Sequence, residues 1–191
     1  MLKYNRGKNM NHLGTKTLET ERLVLRRLEK ADAEPLFYGL RNQPEFLYYT
    51  NKKPVTIEEQ LEIFEALDEK YENKEYYNWG IELKETGTIV GMINFHVENR
   101  NDSVEFNYAT DNRFWGKGIM TEALRVVTKF AIEEMMVNRI QGGCIVENLA
   151  SKRVIEKCGY EFEGVLRAFV KLEDGYHDMN MYSIINNNKE V

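Results

Sequence analysis

Period-two alternation and helical spacing trade places along the chain and divide it into elements. Arg22 to Leu28 reads as a strand with Leu23 and Leu25 on one face. Asp32 is placed to cap a helix, and Pro35 falls in its first turn, where proline is tolerated. Arg41 to Pro54, with Pro44, Phe46, Tyr48, Tyr49 and Pro54, reads as an aromatic loop. Thr56 followed by Glu59 forms a capping box and opens a helix that buries Ile57, Leu61 and Phe64. Tyr77, Trp79, Ile81 and Leu83 then alternate with polar or small residues as a half-buried strand does. Turns at Glu85-Thr86-Gly87 and at Asn99 to Asp102 separate it from strands over Thr88–Val97 and Ser103–Ala109.

Beyond residue 110 the period lengthens. Met120, Ala123, Leu124, Val127, Phe130 and Ala131 form one stripe of a helix that ends near Met135. Arg139–Val146 reads as a strand, and Asn148–Cys158 as a short helix stopped by Gly159. Tyr160–Leu172 and Tyr176–Ile185 make a hairpin around Asp174-Gly175. This order predicts a mixed α/β fold, a mostly antiparallel central sheet with helices on both faces. It does not predict a doubly wound parallel sheet.

With 191 residues the chain has the size of one domain that needs no disulfide or metal staple. The first 18 residues carry Lys3, Arg6, Lys8 and Lys16 and no acid, so residues 1–16 read as a basic tail. The domain is expected over 17–186, with a short tail over 187–191. The whole chain has a net charge of −5, and its acidic body argues against a nucleic-acid partner. No apolar run approaches the roughly 18 residues of a membrane span, and no secretory signal opens the chain. Two isolated cysteines and three scattered histidines give neither a disulfide framework nor zinc-ligand spacing. The expectation is a cytoplasmic protein, monomer or homodimer, with no metal.

The richest chemistry lies in Arg113-Phe114-Trp115-Gly116-Lys117-Gly118-Ile119-Met120-Thr121, between a strand and a helix. Two glycines at a helix start let a ligand approach unpaired N–H groups at the positive end of the helix, which suits a phosphate. Arg113 and Lys117 would add formal charge. A Walker loop needs Lys-Ser or Lys-Thr after its last glycine, and Ile119 stands there. A dinucleotide fingerprint needs a third glycine where Thr121 stands.

The pattern Arg-x-x-Gly-x-Gly resembles the pyrophosphate loop of the GCN5-related N-acetyltransferase (GNAT) superfamily. Thirty residues on, Asn148-Leu149-Ala150-Ser151 through Cys158-Gly159-Tyr160 resembles that superfamily's second cofactor motif. Glu21-Arg22-Leu23-Val24-Leu25-Arg26, Thr121-Glu122-Ala123 and Asp178 with Tyr182-Ser183 extend the likeness to the branch that acetylates ribosomal-protein N-termini.

The resemblance implies the acyl-CoA N-acyltransferase fold, with acetyl-CoA in a cleft where Val104–Ala109 and Arg139–Val146 splay apart. It places Tyr108, Ala109 and Thr110 along the pantetheine, and Arg113, Gly116, Lys117, Gly118, Ile119 and Met120 at the pyrophosphate. Tyr108 reads equally well as sheet packing. Asn148 and Ser151 would contact the cofactor, although each is also a natural helix cap. Relatives often carry an acidic tyrosine where Ile155 stands, so Ser151 is the implied hydroxyl in its place. Glu105, between Val104 and Phe106, is the implied base, because an idle carboxylate in a central strand is costly. A solvated strand charge is its alternative, and Glu82 and Glu98 are weaker candidates. Phe46, Tyr48, Tyr49 and Asp178 are expected on the acceptor side, and His177 is expected to be exposed. The acceptor implied is a protein N-terminal amine; a small-amine acetyltransferase and a non-catalytic acyl-CoA-binding module are the alternatives.

Overall fold

The computed structural model describes residues 10–50 and 52–187. The strands are β1 (Leu18–Glu19), β2 (Leu23–Arg26), β3 (Tyr77–Leu83), β4 (Thr88–Glu98), β5 (Ser103–Thr110), β6 (Arg139–Ile145), β7 (Glu161–Leu172) and β8 (Gly175–Ile185). They form one sheet in the order β1-β2-β3-β4-β5-β6-β8-β7. The helices are α1 (Ala33–Leu36), α2 (Pro44–Thr50), α3 (Ile57–Glu65), α4 (Leu67–Glu72), α5 (Ile119–Glu133) and α6 (Leu149–Lys157). Every strand pair is antiparallel except β5 and β6.

That exception makes the site. The two strands pair only at Ser103↔Arg139, Val104↔Ile140 and Glu105↔Gln141. Beyond Glu105, β5 stays on β4 as far as Thr110, while β6 stays on β8 as far as Ile145. The sheet therefore splits along its centre and leaves one edge of β5 without a strand partner.

The two sheet faces carry separate apolar clusters. On one face Leu23, Leu25, Trp79, Ile81, Ile93, Val104 and Phe106 pack with α5 through Ala123, Leu124, Val127, Phe130 and Ala131. Burying each large side chain of this set contributes about 1.5–3 kcal/mol. On the other face Leu28, Leu36, Leu40, Phe46, Phe64, Leu67, Tyr71 and Ile89 pack together. The Thr56–Glu59 capping box forms as the sequence predicts, with Thr56 Oγ1 accepting from the Glu59 N–H at 3.2 Å.

Three expectations change. Arg41 to Pro54 is not a loop throughout: Pro44–Thr50 is α2, with proline at its first position and Phe46 buried beneath it. Asp32 stands at the N-cap of α1, but its side chain makes no cap bond there; it accepts from the Glu29 N–H at 2.8 Å one turn earlier and from the Arg26 guanidinium at 2.7 and 2.9 Å. The tail expected over residues 1–16 is packed from Met10 onward, and residues 1–9 lie outside the described residues. Met10 is buried, the Asn11 N–H donates to the Met135 carbonyl at 2.7 Å, and the Thr15 hydroxyl donates to the Tyr76 carbonyl at 3.0 Å. These bonds give the segment's polar groups partners, which a frayed terminus would leave to water. Of the tail expected over 187–191, residues 188–191 also lie outside the described residues.

Candidate active site

A cavity of about 700 Å³ occupies the split, within the usual range for a small-molecule site. Tyr108, Ala109 and Thr110 form one wall, Trp115, Gly116 and Gly118 to Thr121 another, and Glu147 to Ser151 a third. Leu40, Gln43, Glu45, Phe46, Tyr49 and Thr50 close the far end. The sequence thus brings its two glycine- and asparagine-bearing motifs together across the gap.

Gly116 and Gly118 both have left-handed backbone, with φ of 74° and 76°, which a side chain would strain. This conformation turns the chain into α5 and presents its first-turn amides, which have no intrahelical acceptor. The loop is held from outside: Arg22 donates to the Lys117 carbonyl at 3.1 Å and to Glu122 Oε2 at 2.7 Å. Glu122 lies in the first turn of α5, where a negative charge suits the helix dipole.

The charges beside the loop differ from expectation. Arg113 folds back onto buried Asp111, with Nε 2.9 Å from Oδ2, and does not line the cavity. Lys117 sits over the Phe114 ring, 4.9 Å from its centroid, and also stays out of the lining. The cations that do line it are Arg153 and Lys157 of α6. Sequence reasoning missed both, although their four-residue spacing puts them on one side of a helix that starts at the asparagine motif.

On the other wall Asn148 caps α6, its Oδ1 accepting from the Ser151 N–H at 2.9 Å. Ser151 Oγ lies 2.8 Å from the Tyr108 hydroxyl. Tyr108 is therefore more than sheet packing. Its ring stacks on Phe106 at 5.9 Å while its hydroxyl reaches across the split to α6. Burial pushes the phenol above its ordinary value of 10, against the opposing pull of the Ser151 hydrogen bond, so it is protonated at neutral pH. Ile155 is fully buried, so no hydroxyl faces the cavity from that position. Burial also raises the thiols of Cys144 and of Cys158, the latter to about 11, which leaves both as poor nucleophiles.

Glu105 is not brought to Ser151. It sits at the last paired step before the split, half-buried and outside the cavity lining. Gln141 Nε2 donates to its Oε2 at 3.3 Å, and Gln141 Oε1 in turn accepts from Arg139 at 2.7 Å. Strand alternation puts it on the face opposite Val104 and Phe106.

Of the acceptor-side candidates, Phe46 and Tyr49 line the cavity, and Tyr48 and Asp178 do not. Tyr48 donates to Asp174 Oδ2 at 3.1 Å. Asp178 Oδ1 accepts from the Ala168 N–H at 2.7 Å, where β7 breaks register and Ala168 has φ of 50°. Asp178 thus holds an irregular strand. His177 is not exposed as expected: its side chain keeps 15% accessibility between Asp174 at 2.9 Å and Glu147 at 3.6 Å. No group of three or more metal-ligating side chains stands together among the described residues.

The arrangement fits an elongated ligand with an anionic bridge near α5, an amide-bearing arm along the bare edge of β5, and a reactive end beside Ser151 and α2. A sequence profile described as "Acetyltransferase (GNAT) domain" matches residues 22–161. An uncharacterized N-acetyltransferase of Bacillus subtilis, YoaA, is 30% identical over 169 residues, covering 88% of this chain and 96% of that protein. A ribosomal-protein-serine acetyltransferase of Escherichia coli is 31% identical over 98 residues, covering 51% of this chain and 55% of that protein. Among solved structures, RimL, a ribosomal L7/L12 alpha-N-protein acetyltransferase in complex with coenzyme A, superposes with a TM-score of 0.78. It is 21% identical, and the match covers 89% of this chain and 98% of that one.

Proposed function

The chain belongs to the GNAT acetyltransferase family as an acetyl-CoA-dependent N-acetyltransferase, and from that premise we propose that its acceptor is a protein N-terminal α-amine. Transfer is direct, in a ternary complex, and the setting is the cytoplasm. Acetyl-CoA supplies an activated acyl group on sulfur; the chain's own residues position it and handle the protons.

The observation that favours an N-terminus over a polyamine is the charge of the cavity. Among the described residues its lining holds two acids, Glu45 and Glu147, against Arg153 and Lys157. A polycation would find little to neutralise it. The amine's own acidity supports the same reading. An α-amine near pKa 8 is about a quarter neutral at pH 7.4, against about one in a thousand for lysine. Modest base assistance then suffices. The similarity to a ribosomal-protein acetyltransferase over half the chain points the same way.

In this reading the amides of Gly116 to Met120 hold the pyrophosphate, with Arg153 and Lys157 as its counter-charges. The bare edge at Tyr108 and Ala109 pairs with the pantetheine; the Thr110 carbonyl already accepts from Trp115 Nε1 at 2.8 Å. Asn148 orients α6, and Ser151, backed by Tyr108, donates to the sulfur as the acyl group leaves. Glu105 takes the amine's proton through water, since it stands at the last paired step before the split and outside the cavity lining.

A pH–rate series on wild type and Glu105→Gln, with peptide acceptors, tests this. The variant should keep acetyl-CoA affinity and lose about 10²–10⁴-fold in turnover at neutral pH. The deficit should narrow near pH 8 for an N-terminal amine and only near pH 10 for a lysine or polyamine. A variant as fast as wild type at every pH removes Glu105 from the mechanism. Acetylation of small amines but no peptide overturns the acceptor.

A further inference from the structure

The end of the cavity away from the glycine loop carries charges that the reading above leaves unused, and they all belong to α2 or its flanks. Glu45 lines the cavity. Its carboxylate makes no hydrogen bond to any described residue, and Oε2 is closed to solvent without a donor. A carboxylate oxygen that has lost water and gained nothing is a position waiting for a donor. The next residue, Phe46, lines the same cavity, and two cations lie against its ring. The Arg41 guanidinium carbon is 5.5 Å from the ring centroid and Lys52 Nζ is 5.9 Å from it.

Neither cation has a carboxylate within ion-pair distance among the described residues, although the protein is acidic overall and Arg22, Arg26, Arg113 and Arg139 each have one. Burial lowers the pKa of Arg41, and burial together with the Arg41 charge lowers that of Lys52. Burial thus disfavours both charges and Arg41 further disfavours that of Lys52, so an anion between or beside them would relieve both. The pattern on α2 is one unsatisfied anion inside the cavity and two unsatisfied cations beside the aromatic ring at its edge.

We propose that this pattern selects an acidic N-terminal peptide: Glu45 receives the α-ammonium, and Arg41 with Lys52 receives an acidic side chain of the residues that follow. The inference rests on the acceptor being a protein N-terminus and adds which N-termini are taken. A polyamine would set its second ammonium against Arg41 and Lys52, and a basic peptide would do the same with its side chains.

The test uses the full chain, acetyl-CoA and three hexapeptides that share Ser at position 1 and carry Asp-Glu, Gln-Gly or Lys-Arg at positions 2 and 3. Release of free thiol gives kcat and KM. The acidic peptide should exceed the basic one by about tenfold or more in kcat/KM, and the gap should shrink with added salt. Arg41→Gln combined with Lys52→Gln should collapse the ranking. Glu45→Gln should raise KM for every peptide by about tenfold or more while acetyl-CoA affinity holds. Should that variant fail to fold, Glu45→Asp, which keeps the charge and withdraws it by one methylene, should raise KM by a smaller factor. Acetylated peptides with a flat or reversed ranking overturn the inference and leave the N-terminal reading standing. An unchanged KM in both Glu45 variants overturns the ammonium site. Acetylation of spermidine but of no peptide overturns the inference and the reading together.

Discussion

Removing one oxygen atom, in Tyr108→Phe, tests how the leaving sulfur is stabilised. The ring would stay stacked on Phe106, and the hydroxyl's 2.8 Å contact to Ser151 Oγ and its 3.3 Å bond to the Ser151 carbonyl would be lost. The net stability lost with such a bond is about 0.5–1.5 kcal/mol, too little to unfold a domain stable by about 5–15 kcal/mol. The effect on chemistry can be bounded. Burial holds the phenol above its ordinary value of 10, whereas an unperturbed thiol titrates near 8.5. Full proton transfer from Tyr108 to the sulfur would therefore be uphill by at least about 2 kcal/mol. In the proposed reading Tyr108 would instead donate to Ser151 and leave the Ser151 hydroxyl free to point its own hydrogen at the sulfur. Losing that alignment should lower kcat by about tenfold, the equivalent of roughly 1.4 kcal/mol. Ser151→Ala removes the direct donor and should cost more. The double variant should fall no further than Ser151→Ala alone, because the two hydroxyls act in series. Steady-state thiol release gives kcat, and calorimetry gives acetyl-CoA affinity. A Tyr108→Phe enzyme with wild-type kcat would refute the pairing. Ser151→Ala with normal kcat and weaker binding would reduce Ser151 to a contact.

Gly118→Glu should nearly abolish acetyl-CoA binding while leaving the fold intact. The residue has φ of 76°, and a Cβ there would meet only the Arg22 guanidinium within 4 Å, so backbone strain of about 1–2 kcal/mol is the main folding cost. Unchanged affinity by calorimetry, with unchanged circular dichroism, would remove the loop from the site. His177 is held above its ordinary value of 6.5, chiefly by its hydrogen bond to Asp174. Its folded pKa is raised, so its stabilisation is complete below about 6.5 and is lost as pH rises through the folded value. The gap in unfolding temperature between wild type and His177→Gln should therefore close as pH rises across that window, and a gap that widens would contradict it.

How much of this is legible in the sequence follows from which forces are local. Strands β2 to β5 and helix α5 are set by period and by side chains that meet one flat apolar surface, so Leu23, Trp79 and Leu124 announce their own positions. The 44–50 segment has no such period. Its prolines at 44 and 54 read as loop punctuation, yet Pro44 occupies the first helical position, whose N–H has no intrahelical acceptor, and burial of Phe46 decides the rest. The basic start misleads for the opposite reason. Its charge suggests fraying, whereas Met10, Leu13 and Thr15 are captured by carboxylate, hydroxyl and backbone partners more than sixty residues away.

The site divides along the same line. Gly116, Gly118 and Asn148 act through backbone conformation and capping, which depend on neighbours in sequence, and they stand where the sequence put them. Charges and hydroxyls act through long side chains, and their partners are chosen by the fold. Asp111 captures Arg113 and leaves Arg153 and Lys157 to line the cavity. Tyr108 and Ser151 are 43 residues apart and meet only because β5 and β6 stop pairing after Glu105. That early stop has a cause within the sheet. Beyond Gln141, β6 carries Gly142 and Gly143, and a Cβ at Gly142 would stand 2.4 Å from the Phe106 ring. The aromatic ring of β5 thus occupies the space a side chain on β6 would need, and past that point β6 keeps only its pairing with β8. The split that admits the cofactor is set as much by Phe106 and Gly142 as by the loop that would hold its phosphates. Neither residue lines the cavity itself, although Phe106 carries the Tyr108 ring, which does.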